Sequence, residues 1–265
     1  MPHRSSDVFA VSILILASIA IISPCMAVKP YPHPLTMICD ELVPPPAREA
    51  LAEIPDVGRK LLALRIYLRT GSRLVKRWSW TDEQIKAFQA SAEQKALLDE
   101  VAAVNAHFAQ ANPGFQLHVN TNVRSLGVQI RNWNNNESVG VAADEILSKW
   151  KEEFGSDAPS WVDLDPKKVR NWLNGFEGTN RAAIAAPGLS FHGQARALDF
   201  QVVQNGTMIA GTSSKDVERT WRVAKWDVKL KESILAAGPS FRGPLTSPDE
   251  PWHYEYDPAN RTAVK

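Results

Sequence analysis

The chain contains 265 residues, of which 44% are apolar and 22% are charged, so it is long and apolar enough to bury a full core in one or two domains. Its 30 lysines and arginines balance 29 aspartates and glutamates, which leaves no broad positive field and argues against nucleic acid as a partner. Two cysteines exclude a disulfide framework and a cysteine-rich zinc module. A metal site in this chain must therefore use histidine and carboxylate ligands.

Residues 1–27 have the order of zones that is typical of a secretory signal peptide. Two basic residues precede an apolar run of 15 residues from Val8 to Ile22, and small residues follow it. A spanning helix needs roughly 20 residues, which favours cleavage after Ala27 over an uncleaved membrane anchor. A lipoprotein signal at Cys25 is disfavoured because Pro24 stands where a small residue is expected. We expect a periplasmic or secreted protein without stable membrane insertion after cleavage.

The region from residue 28 to residue 112 is predicted to hold a proline-rich extended segment followed by helices. Residues 28–48 contain six prolines, which disfavour regular structure. Apolar residues then recur at helical spacing from Arg48 to about Leu74. The stretch Thr81–Asn112 predicts one long helix, which begins at a capping box between Thr81 and Gln84. Nothing in this region indicates a function.

Residues 113–265 mix strands and helices without a regular rhythm. Alternating apolar residues predict strands at 115–119, 195–203 and 252–256. Helical spacing predicts helices at 137–154, 166–176 and 214–237. No glycine-rich phosphate loop follows a strand. We therefore predict an α+β fold with a small antiparallel sheet flanked by helices, extended by the helical N-terminal region.

One candidate metal-binding pair is His192 with Asp199, seven positions later. If residues 195–203 form a strand, Ala195 and Ala197 share a face with Asp199, and these small residues leave room for an ion. His192 would enter from the preceding loop. Taken alone, the pair is also compatible with a hydrogen-bonded loop histidine and an aspartate at a strand end.

A second candidate group lies around His253, the first inward residue of the last predicted strand. A neutral imidazole binds zinc, and Glu250, three residues earlier, can approach a zinc-bound water without being a ligand. Two histidines and one aspartate leave the fourth tetrahedral position open, as in catalytic zinc sites. Zinc lowers the pKa of that water to about 7, and a nearby carboxylate can take its proton. The sequence supplies three such ligands and one free carboxylate.

Three short motifs occur in the same order as in a known family. The motifs in this chain are Val123-Arg124-Ser125 with Gln129, then Ser190-x-His192 with Ala197-x-Asp199, then Glu250-Pro251-Trp252-His253. They resemble the signatures Tyr-Arg-Ser with a later Gln, Ser-x-His-x-x-Gly-x-Ala-x-Asp, and Glu-x-x-His. These signatures are typical of the zinc D-alanyl-D-alanine carboxypeptidases of the VanY type, in the LAS superfamily of peptidoglycan peptidases. The resemblance covers roughly residues 115–258.

The resemblance implies a hedgehog/D,D-peptidase-like domain over residues 113–265 that binds one Zn²⁺ ion. The zinc ligands implied are His192, Asp199 and His253. Glu250 would be the general base that deprotonates the zinc-activated water and then protonates the leaving amine, and Arg124 would stabilise the developing oxyanion. On the substrate side, Ser190 would hydrogen-bond the substrate and Gln129 would help hold the Arg124 loop.

Two positions depart from the family pattern. Ala195 stands where the family has glycine, with Gly193 displaced next to His192, and Val123 replaces the tyrosine before Arg124. The first change predicts a different loop path between ligand and strand, and the second removes one possible wall of the substrate pocket. Neither change deletes a ligand or the base.

The expected function is that of an exported zinc peptidase that acts on stem peptides of bacterial peptidoglycan, as a D,D-carboxypeptidase or an endopeptidase. The alternative is a non-catalytic module on the same fold that binds cell wall or a protein, with a structural zinc or none. The sequence leaves the cleaved bond, the oligomeric state and the choice of zinc over manganese or cobalt open. His118 is a weaker candidate ligand, and His107 is expected on a helix surface.

Overall fold

Ten α-helices and a small antiparallel sheet make up the part of the chain that the computed structural model describes, residues 34–156 and 163–259. The predicted α+β class is confirmed. The predicted signal peptide, with its cleavage point after Ala27, lies outside the described residues. None of the described helices is both long enough and apolar enough to cross a membrane.

The first six helices lie within residues 34–111. They are α1 Pro34–Leu42, α2 Pro45–Ala52, α3 Val57–Thr70, α4 Leu74–Arg77, α5 Asp82–Gln89 and α6 Ala92–Ala111. The prediction of an extended segment is therefore wrong from residue 34 onwards. Pro34 and Pro45 are the first residues of their helices, where proline is favoured because its missing N–H would have no helical partner.

The single long helix predicted over residues 81–112 is in fact α5 followed by α6. The capping box is confirmed, since Thr81 and Gln84 exchange side-chain to backbone hydrogen bonds at the start of α5. The break occurs at Ser91, whose hydroxyl accepts the Gln94 N–H at 3.1 Å and so begins α6. A second cap of this kind interrupts a helical pattern without changing its apolar spacing.

Four helices follow in the second half of the chain. They are α7 Leu126–Asn135, α8 Glu137–Phe154, α9 Pro166–Gly175 and α10 Trp226–Ala237. The helices predicted at 137–154 and 166–176 are confirmed, and α7 was not predicted. The helix predicted over 214–237 is interrupted, because a 3₁₀ turn and a π-helix (Val217–Arg222) precede the left-handed residue Lys225 and only then does α10 begin.

Antiparallel pairing joins all the strands that the structure describes. The strands are β1 Phe115–Val119, β2 Ala197–Gln204, β3 Thr207–Ala210, β4 Phe241–Arg242, β5 Leu245–Thr246, β6 Asp249–Glu250 and β7 His253–Tyr256. The main sheet has the order β1-β2-β7-β4, with β3 also paired to β2, and β5 and β6 form a separate hairpin. The three predicted strands are present, although β2 begins at Ala197 rather than at residue 195.

Two hydrophobic clusters stabilise the fold. The first buries side chains of α1–α4 together with those of α7–α9, and Gly58 on α3 lies so close to α8 that a Cβ there would come within 2.5 Å of the Ala143 carbonyl oxygen. The second cluster packs α5, α6 and α10 against the sheet. Each cluster thus contains helices from before and after residue 112, and the described residues belong to one compact unit.

Candidate metal centre

Three side chains from different elements meet at one point. His192 lies in a 3₁₀ turn, Asp199 on β2 and His253 at the start of β7. His192 Nε2 lies 3.3 Å from His253 Nδ1 and 3.5 Å from Asp199 Oδ1. His253 Nδ1 lies 3.1 Å from the same aspartate oxygen. The structure therefore brings the three predicted ligands together.

The size of this triangle fits a tetrahedral zinc site. Zinc bonds to nitrogen and oxygen of about 2.0–2.1 Å at tetrahedral angles place neighbouring ligand atoms about 3.3–3.4 Å apart. The three observed separations run from 3.1 to 3.5 Å. Imidazole nitrogen and carboxylate oxygen are also ligand types that zinc accepts. In the described parts of the chain, this is the only group of three such side chains that could hold a metal ion.

Strand register places two of the three ligands. Asp199 and His253 are directly opposite each other in the β2–β7 ladder, and the Phe200 N–H donates to the Trp252 carbonyl at 2.9 Å. Trp252 is only 2% exposed, and its ring packs against that of Trp221 with 5.9 Å between the ring centroids. A register shift of one residue would turn one ligand to the other face of the sheet, so this packing maintains the ligand pair.

The turn that carries His192 contains Gly193 and Ala195, where the chain departs from the signature Ser-x-His-x-x-Gly-x-Ala-x-Asp. Ala195 is left-handed, with φ 52° and ψ 28°, a conformation that favours glycine. It ends the turn and lies outside β2, so the prediction that it shares a strand face with Asp199 is wrong. Position 193 requires glycine for lack of space rather than for its backbone conformation, because a Cβ there would lie 2.1 Å from Ser79 Oγ.

Gln129 supports the centre from behind and does not line the cavity in front of it. It is 4% exposed, and its Nε2 donates to the Arg124 carbonyl and to Ser79 Oγ, both at 2.8 Å. Its Oε1 accepts the Gly188 N–H at 3.0 Å. Gln129 thereby joins the Arg124 loop to two other segments. Ser79 was missed by the sequence analysis, and no motif around it indicates this contact.

Arg124 contacts both the ligands and the open side of the centre. Its backbone N–H donates to the His192 carbonyl at 3.0 Å, and its Nη2 lies 3.4 Å from Asp199 Oδ2. Arg124 and Ser190 line a cavity of about 540 Å³ together with the three predicted ligands. In this structure the guanidinium therefore orients the outer oxygen of Asp199 and also lines the cavity.

Glu250 lies at the edge of the same cavity, on β6. Its Oε2 is 3.7 Å from His253 Nδ1. Burial raises the pKa of Glu250, and the charge of Asp199 adds to this effect, although His253 and Arg124 oppose it. The preceding residue is anchored, because Arg222 Nη2 donates to both oxygens of Asp249, at 2.8 and 3.0 Å.

The surroundings of the ligands favour the protonation states that bind metal. Burial lowers the pKa of His192 to about 4, even though the charge of Asp199 opposes this shift. Burial alone would raise the pKa of Asp199, but the hydrogen bond with His253 and the nearby charges of His192, His253 and Arg124 lower it overall. At neutral pH the centre thus presents a neutral His192 imidazole and an ionised carboxylate.

The other two candidate histidines lie away from the centre. His118 is exposed on β1 and does not belong to the ligand group. His107 is half-buried rather than on the helix surface, and its Nδ1 lies 3.1 Å from Ser233 Oγ on α10. Neither histidine is placed to bind the ion that the triangle fits.

Comparison of the chain with protein-family models, curated proteins and solved structures finds no match. The geometry of the centre and the motif residues that form it are therefore the features that indicate a function. Of the seven residues in those motifs with a predicted role, all but Gln129 line the cavity around the centre.

Proposed function

We propose that the chain is an exported zinc-dependent peptidase that hydrolyses amide bonds in the stem peptides of bacterial peptidoglycan. The triangle formed by His192, Asp199 and His253, with Glu250 beside it in one cavity, is the observation that carries the proposal. The resemblance of three motifs to the VanY-type carboxypeptidases supports this substrate class and a hedgehog/D,D-peptidase-like fold. The order of zones in residues 1–27 supports export.

His192, Asp199 and His253 would hold the zinc ion. When bound, zinc supplies a Lewis acid that polarises a carbonyl group and makes water more acidic. The role of Glu250 is to accept the proton of the attacking water and to pass it to the leaving amine. A carboxylate with a raised pKa suits both steps, because its affinity for a proton is closer to that required at neutral pH.

Arg124 and Ser190 would act on the substrate from the walls of the cavity. Only one guanidinium nitrogen of Arg124 is near Asp199, so its other donors can reach a substrate carbonyl or a terminal carboxylate. An oxyanion contact of this kind is worth about 3–4 kcal/mol in other hydrolases. The Ser190 hydroxyl adds a donor and acceptor beside it. Both residues would position the amide against Glu250.

Glu250→Gln tests the proposal directly. The variant is expected to retain about one zinc per chain and to release D-alanine or crosslinked fragments from purified peptidoglycan roughly 10²- to 10⁴-fold more slowly. Mass spectrometry of the products distinguishes a carboxypeptidase from an endopeptidase. Glu232→Gln is the matched control, because Glu232 is exposed on α10 and does not line the cavity around the metal centre. It should retain full activity.

Two outcomes would contradict the proposal in different ways. Unchanged turnover by Glu250→Gln would remove Glu250 from the mechanism. A wild-type protein that binds zinc stoichiometrically, loses it in His192→Ala and in His253→Ala, and releases nothing from peptidoglycan would instead favour the non-catalytic binding module.

A further inference from the structure

A second cavity, of about 640 Å³, lies on the helical side of the metal centre. Four arginines line it: Arg65, Arg69, Arg77 and Arg181. Among the described residues, Glu177 is the only carboxylate in its lining. Among the described residues, none of these four arginines has a carboxylate oxygen within 4.0 Å, whereas five other arginines do. The described lining therefore carries a net positive charge.

Two of these guanidinium groups are held in place by the fold. Arg65 Nε and Nη2 donate to the Phe176 carbonyl at 3.1 and 2.5 Å. The Arg77 guanidinium lies over the Phe191 ring at 5.0 Å, and its Nε is buried without a hydrogen-bond partner. Side chains that are already ordered lose little conformational entropy when a ligand binds. The unpaired donor of Arg77 is also unusual for a buried polar atom.

The positive charges lie close enough to influence one another. Burial lowers the pKa of Arg65, and the charge of Arg69 lowers it further, while Glu177 opposes both effects. Like charges grouped in a partly buried space destabilise one another and attract anions. An anionic ligand would relieve this repulsion and complete the hydrogen bonding of the guanidinium groups.

This cavity adjoins the one that contains the metal centre. Arg77, Ala182 and Ile184 line both, and Phe191, the ring beneath Arg77, is the residue before His192. A single extended molecule can therefore occupy the metal centre and reach the arginines. Ala185 and Leu189 line both cavities as well, so the shared wall combines small and large side chains.

We infer that the arginine-lined cavity is a subsite for an acidic peptide, and that it binds carboxylates of the same chain whose amide lies at the metal centre. The planar guanidinium group matches a carboxylate with two parallel hydrogen bonds. The inference rests on the proposed function for the place of the cleaved bond, but the binding of the acidic peptide needs no hydrolysis.

The test measures binding by fluorescence anisotropy, with the purified protein in both metal-free and zinc-loaded form. The probe is a fluorescein-labelled hexapeptide that contains three glutamates, and the control probe carries glutamine at the same positions. We expect the glutamate peptide to bind at least about tenfold more tightly and to lose affinity as salt is added. Equal binding of the two peptides would overturn the inference.

Arg69→Gln combined with Arg181→Gln removes two exposed charges from the cavity without removing a buried contact. This double variant should bind the glutamate peptide at least about tenfold more weakly. Arg73→Gln is the matched control, because Arg73 is also exposed but does not line the cavity; its affinity should change less than about twofold. Unchanged binding by the double variant would overturn the inference.

The outcomes separate this inference from the proposed function. Binding of the glutamate peptide by a protein that hydrolyses nothing when loaded with zinc would contradict only the peptidase. Hydrolysis without any preference for the glutamate peptide would contradict only the subsite. A third outcome is that inorganic phosphate binds while the peptide does not, and that the affinity for phosphate falls in the double variant. With that result the cavity is a phosphate site and the acidic-peptide inference is wrong.

Discussion

Replacing Gly193 with alanine tests whether the turn that carries His192 depends on its contact with the helical region. The added Cβ would lie 2.1 Å from Ser79 Oγ and 2.6 Å from Gln129 Nε2, both much closer than a normal contact. These two atoms are hydrogen-bonded to each other at 2.8 Å. Either that bond breaks or the turn moves. Overpacking costs about 1–3 kcal/mol and a buried polar group left unpaired costs a further 1–3 kcal/mol, so we expect a loss of about 2–6 kcal/mol.

Urea denaturation of the metal-free protein measures this loss as a shift of the midpoint at constant slope. Zinc affinity, measured by competition with a chromogenic chelator, should fall about 10- to 100-fold, as it does when the groups that orient a metal ligand are disturbed. Gly127→Ala on α7 is the control, because its Cβ would have no neighbour closer than Arg131 Nη1 at 3.8 Å. That substitution should be neutral or stabilising by up to about 1 kcal/mol.

A second variant identifies the cause of the damage. Ser79→Gly removes both serine atoms that the new Cβ would meet. The combined variant should therefore be more stable than the sum of its two single changes, by about 0.5–3 kcal/mol. Strict additivity, or a Gly193→Ala protein with the wild-type midpoint and zinc affinity, would refute this account of the turn.

Two further predictions concern the loop and the turn that border the cleft. The backbone and side-chain hydrogen bonds from Thr179 and Asn180 lower the pKa of Glu145 from its ordinary 4.5 to about 2. Their stabilising effect is therefore present above about pH 4.5 and is lost as the pH falls towards 2. The difference in urea midpoint between wild type and Glu145→Gln should shrink over that range. A difference that stays constant with pH would contradict this prediction. Ala195→Gly should change the free energy of unfolding by less than about 0.5 kcal/mol, because relief of the left-handed conformation offsets the lost methyl group. Ala197→Gly in the extended strand β2 should instead cost about 1–2 kcal/mol. Equal costs for the two variants in parallel urea titrations would contradict this reasoning.

The parts of the fold that could be predicted are those with a local signal at their ends. The capping box at Thr81 and the alternation in β1 are read directly from neighbouring residues. The errors arose where one signal has two meanings. Proline disfavours a helix interior but favours a helix start. The sequence alone does not distinguish these two effects at Pro34 and Pro45, which begin α1 and α2. The π-helix that buries Trp221 is a result of tertiary packing and leaves no local pattern.

The candidate centre could be predicted in part for a related reason. Its three ligands belong to two short motifs, and each motif lies within or beside a strand whose alternation is visible in the sequence. The residues behind and beside it have no such pattern. Arg77 and Ser79 lie more than 100 positions before His192. Only the packing of the helices brings Arg77 to the cavity wall and Ser79 to Gln129 behind the centre. The position of these walls is a long-range property.

The two hydrophobic clusters support different parts of the candidate site. The cluster that packs α5, α6 and α10 against the sheet (the sheet cluster) supports the strands that carry Asp199 and His253. The cluster formed by α1–α4 and α7–α9 (the helical cluster) supports the arginine-lined cavity. Contacts between the helical region and the loop that carries Arg124 fix the distance between the metal centre and the arginine-lined cavity. Gln129 on α7 bonds to both Ser79 and the Arg124 loop. Changes within the helical cluster should therefore alter affinity for the substrate while zinc binding is unaffected, and changes at these contacts should alter both together.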